Sequence, residues 1–108
     1  MNLSIFFEPL PEHLKDAEDH YSIGAYTDAF IHTFPDFRSA DIAIIGLTEV
    51  RGTSDNKGAE NGALEIRKAL YNLKKGNGPY KIIDLGNLRN GMNLEDTYFR
   101  IREVCQFL

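Results

Sequence analysis

Residues 41–70 read DIAIIGLTEVRGTSDNKGAENGALEIRKAL, and this stretch decides the fold. A continuous apolar run, Asp41–Leu47, ends in glycine and leucine; a long polar loop, Thr48–Asn61, follows and feeds a basic amphipathic helix. Consecutive Ile42, Ala43, Ile44 and Ile45 leave no polar face, which is the pattern of a strand buried on both sides in a parallel sheet. The helix is expected over Ala63–Leu73, with Ala63, Ile66, Leu70 and Leu73 on one face and Ala69 beside them. Arg67, Lys68, Lys74 and Lys75 crowd its C-terminal half, where they complement the helix dipole. Gly76, Gly78 and Pro79 stop it.

Downstream, Lys81–Leu85 (KIIDL) reads as a second buried strand and Gly86–Asn93 as its loop. Asn93 is an N-cap, and Asp96 three residues later completes a short capping box. Leu94, Tyr98, Ile101, Cys105 and Leu108 then form one helical stripe, which predicts a buried structural thiol at Cys105. The order β-α-β-α implies parallel strands. The expected class is α/β, a partial three-layer α/β/α arrangement, with residues 1–40 as a mainly helical N-terminal extension. Within that extension Leu3–Phe7 is an edge strand or docked arm. Glu12–Tyr21 carries a narrow helical stripe, and Ala25–Phe34 is a short helix or irregular packed segment. Two buried strands call for neighbours, so further sheet is expected beyond this polypeptide.

The 108 residues correspond to one domain. A net charge of −4 argues against nucleic acid as a partner. One cysteine excludes an internal disulfide and a cysteine zinc cluster. No apolar run is long enough to span a membrane. MNLSIFFEPLPEHLKD lacks the basic region of a signal peptide, so a cytoplasmic location is expected. His13 and His20 are separated by ~10 Å along a helix, too far to share one ion. Asp84 lies inside a strand; if buried it needs a cation, and Arg67 or Arg89 could supply it. For Arg67 itself the expected partner is a loop carboxylate.

The blocks Ile45-Gly46, Glu49, Arg51-Gly52, Asn56, Gly58-Ala59, Gly62-Ala63, Ile66-Arg67, Leu70-Tyr71 and Leu73 resemble the N-terminal signature of the arginase–agmatinase–formimidoylglutamase family. Asp84-Leu85-Gly86-Asn87-Leu88, Gly91 and Asp96-Thr97-Tyr98 resemble its next block, closest to the formimidoylglutamase-like branch. Where the family often begins the helix with Gly-Pro, this chain has Gly62-Ala63. The resemblance covers residues 41–108 and implies a manganese-dependent hydrolase of linear amidines or guanidines, in which two metal ions activate a bridging water. The family's His- and Asp-rich ligand motifs are absent from these 108 residues, so no catalytic or metal-binding residue is assigned and no cofactor is expected in this chain alone. The resemblance places Arg51, Asn56, Lys57 and Gly58 at the substrate rim. It implies as partner the remainder of a catalytic domain, or another copy of this chain. Two other readings of the same residues are a small-ligand or anion-binding module built on Thr48–Asn61, and a self-associating α/β module.

Overall fold

The computed structural model describes residues 2–15, 20–53, 55 and 57–108, the Lys57 side chain aside. Strand β1 is Phe7–Glu8, preceded by a 3-10 turn over Leu3–Phe6. Helix α1 spans Ile23–Tyr26 and runs directly into strand β2, Thr27–Ala29. Strand β3 is Ile42–Leu47, helix α2 Gly62–Leu70, strand β4 Ile82–Leu88 and helix α3 Leu94–Phe107. All strands form one mixed sheet with β4 at its centre. β3 runs parallel along one side of β4. On the other side β2 pairs parallel with the first half of β4, and β1 antiparallel with its end.

Side chains alternate across a strand, so neighbours on β4 report opposite faces. Ile83 and Leu85 pack with Val104 and Ile101 of α3, together with Phe7, Phe30 and Phe34. Asp84 points the other way, to Arg67 of α2 and to Tyr71 at its C-cap. A second apolar cluster on that side joins Tyr71 to Leu10, Leu14, Leu64 and Leu70. The sheet thus lies between α2 and α3.

The alternation breaks once. Gly86 has φ +84°, and the β3–β4 register shifts between Ile44 and Gly46. This bulge moves Asn87 to the face of Asp84 and returns Leu88 to the face of Ile83. Only glycine suits position 86: its φ is left-handed, and a Cβ would strike the Glu8 carbonyl.

Several expectations need correction. β3 is an edge strand, not one buried on both faces; Ile42, Ala43 and Leu47 are exposed because no described residue pairs beyond it. Of Leu3–Phe7, read as an edge strand or docked arm, only Phe7 enters a strand, β1, while Leu3–Phe6 is a 3-10 turn; β2 was not expected and arises inside Ala25–Phe34. That segment is irregular after residue 29, as one of its two readings had it. Between residues 12 and 21 only Glu12–Lys15 forms a turn of 3-10 helix, while residues 16–19 lie outside the described residues.

On α3 the buried residues are Thr97 and Val104, with Ile101 half-buried between them. The covered stripe is therefore turned from the one expected, and Cys105 and Tyr98 are exposed. The cause is polar: Thr97 is anchored under the neighbouring loop, which fixes the helix rotation. Helix α2 ends at Leu70, short of the expected Leu73; Arg67 and the C-cap Tyr71 are covered best, and the apolar face Ala63, Ile66, Leu70 borders an open groove. Asn93 does cap α3, accepting from Asp96 N at 2.8 Å, and Asp96 Oδ2 accepts from Met92 N.

Candidate functional site

Parallel strands gather ligand sites at their C-terminal ends. Toward that end of β3 and β4 the chain places a deeply buried polar network. The Arg67 guanidinium donates through Nε to Asp84 Oδ2 at 2.8 Å and through Nη2 to Asp84 Oδ1 at 3.0 Å. Nη2 also reaches the Gly86 carbonyl, and Nη1 donates to Asn87 Oδ1 at 2.6 Å. Asp84 further accepts from the Tyr71 hydroxyl at 2.5 Å and from Gly86 N at 3.0 Å. Arg67 is 2% exposed and Asp84 0%. Burying this pair is tolerable because the fork-on-fork geometry fills both carboxylate oxygens. Burial, and then the Asp84 carboxylate, push the Tyr71 hydroxyl far above its ordinary pKa, so it stays a donor.

The sequence left Arg67 and Arg89 open as partners of Asp84, and the structure selects Arg67. Arg67's carboxylate sits on a strand rather than on a loop. Arg89 instead lies 3.6 Å from the exposed Glu8.

Through Asn87 the network reaches a cleft. An Arg67 donor faces Asn87, so the carboxamide oxygen must point inward and its NH₂ outward. Asn87 lines an open cleft of about 370 Å³ with Thr48, Glu60, Asn61 and Leu10. Asn61 occupies the N-cap of α2 but makes no side-chain cap, which leaves its carboxamide available at the cleft. Gly46 makes the arrangement possible, since a Cβ there would overlap Asn87 Oδ1 and the Arg67 guanidinium.

Of the residues placed at a substrate rim, Arg51 is engaged elsewhere. It forks onto Glu49, with contacts of 2.6–3.0 Å, and donates to the Met92 and Gly91 carbonyls at 2.8 Å each. Thr97 donates to Glu49 Oε1 at 2.7 Å. Loop 48–53 is thereby strapped to the start of α3. The Arg51 hydrogen bonds, then that from Thr97, lower the Glu49 pKa from 4.5 to about 2, and Glu49 raises that of Arg51 in return. Gly58 sits exposed in the 3-10 turn Lys57–Asn61, next to the cleft residues Glu60 and Asn61. Asn56 and the Lys57 side chain lie outside the described residues. Sequence reasoning missed Asn87, Thr48 and Asn61 as a group. Its available signal was Gly86, an isolated glycine inside the strand two residues after Asp84, which marks a bulge.

His32 meets Glu12 at 3.6 Å on the surface. Among the described residues no three His, Cys, Asp or Glu side chains converge as metal donors, so the manganese that the resemblance implies finds no donor set there. No described helix is long and apolar enough to cross a membrane. Comparison with family models, with curated proteins and with solved structures finds no match for this chain.

Proposed function

We propose that this chain supplies the opening strands of a ureohydrolase-type, metal-dependent C–N hydrolase of the cytoplasm, acting on a linear amidine or guanidine. The metal ligands come from further polypeptide, and the 108 residues do not turn over alone. One observation carries the reading. The two sequence blocks that resemble the family, around Ile66–Tyr71 and Asp84–Leu88, meet in one buried network through Arg67, Tyr71, Asp84, Gly86 and Asn87. Residues shared with a family signature are expected to serve one another in this way. Manganese titration and an amidine-hydrolysis assay test the reading. The chain alone should bind the metal weakly and hydrolyse nothing, whereas the protein isolated from its source cells, with whatever polypeptide accompanies it, should do both. Tight metal binding by the chain alone, or an inert native assembly, would sink it.

A second reading rests on Asn87. A carboxamide held by a buried ion pair at the mouth of a cleft suits a small-ligand module without catalysis. NMR titration with phosphate, acetate and acetamide separates the two readings. Saturable shifts confined to Thr48, Asn61 and Asn87 support the binding module, and unmoved resonances retire it.

A further inference from the structure

We infer that this chain pairs with a second copy of itself through β3, by a two-fold axis that sets Ile44 against Ile44 of the partner. The inference is independent of the family reading. β3 bonds only to β4 among the described residues. Ile42 N donates inward to the Lys81 carbonyl, so by the parallel ladder Ile42 and Ile44 face β4 while Ala43 and Ile45 present their N–H and C=O groups outward. Natural edge strands are usually defended by lysine, proline or an inward charge. Ile42–Leu47 contains none of these.

The register suits a two-fold. Antiparallel pairing centred on Ile44 lets Ala43 of each copy exchange both backbone hydrogen bonds with Ile45 of the other. The helices then fit. α2 stacks over β3 and β4, reaching Asp84 below and walling a groove of about 450 Å³ with Ile44, Leu47, Ala63, Ile66 and Leu70. With strands ~4.8 Å apart, a two-fold at the β3 junction sets the two α2 helices ~10 Å apart, the spacing of packed helices. The uncovered Ile66, 66% exposed, then fills the partner's groove, and the partner's fills its own.

Charge permits the contact. The net charge of −4 would make most faces of two copies repel. Among the described residues lining the groove only Arg67 is charged, and Asp84 neutralises it. An isologous contact of this kind closes at two copies.

Sedimentation of the full chain over a concentration series tests the inference. The wild type should populate a dimer and nothing larger. Ala43→Pro removes an outward donor at a position where an edge strand tolerates proline, and Ile66→Lys places a charge on an exposed side chain. Each should raise the dimer dissociation constant roughly tenfold or more while the circular dichroism spectrum is kept. Should Ala43→Pro unfold the chain, Ile66→Lys still decides. A wild type that stays monomeric throughout overturns the pairing, as does growth without limit, or a dimer that Ile66→Lys leaves intact.

Discussion

Gly46 shows how one absent side chain governs a site. The space its Cβ would take is occupied by the Asn87 carboxamide and the Arg67 guanidinium. Gly46→Ala should cost ~1–3 kcal/mol, the usual range for overpacking, and urea denaturation of the two proteins measures it. Arg67 and Asp84 make a sharper case. Removing one partner strands the other's charge, so Arg67→Met or Asp84→Leu alone should cost about 3–5 kcal/mol. The double replacement should recover most of that loss, because two apolar side chains need no compensation; the four-way denaturation cycle reads the coupling directly. This pair was legible in the sequence to a point. An aspartate within KIIDL must find a cation if buried, and Arg67 was one of two choices. The third member was not legible, because strict alternation sets Asn87 on the opposite face from Asp84. Only the left-handed turn at Gly86 brings them together.

At the scale of elements, the strap from loop 48–53 to α3 depends on the ionised Glu49. Its carboxylate is 7% exposed and held by Arg51 and Thr97. A folded pKa of about 2 against an ordinary 4.5 means that the folded chain binds fewer protons than the unfolded one in between. The strap's stabilisation is therefore complete above pH 4.5 and is lost as pH falls toward 2. Thermal melts between those limits should lose part of their pH slope in Glu49→Gln. The cap of α3 is a second, independent support, and Asn93→Ala should cost ~1 kcal/mol by the same melts. α2, α3, β3 and β4 could all be read from periodicity and punctuation. Which side of each helix is covered could not. On α3 the hydrophobic stripe through Tyr98 and Cys105 lost to Thr97, whose hydroxyl donates to Glu49 of loop 48–53 and accepts from Gly91 N. On α2 the apolar residues Ala63 and Ile66 flank a groove, while Arg67 and Tyr71 take the interior. Both departures share a cause: polar groups that must be paired outrank apolar area that need only be near a surface.

Across the whole molecule, β4 is the member every other strand requires. Hydrogen exchange should follow: its amides, flanked on both sides, exchange slowest, and those of Ala43 and Ile45 fastest within the sheet at concentrations that keep the chain monomeric. NMR exchange rates residue by residue check this ordering. β2 escaped the sequence reading, and β1 was left there between an edge strand and a docked arm over Leu3–Phe7, for a related reason. With two and three residues they carry no period of their own and become strands only because β4 offers bonds. The same dependence reaches into synthesis. A ribosome delivers residues 7, 27 and 42 long before residue 82, so the earlier strands emerge with nothing to bond to. The nascent chain must wait, unsheeted, until β4 clears the exit tunnel. Phe7 then closes onto Leu88 across about three quarters of the sequence, the kind of distant pairing that makes folding slow.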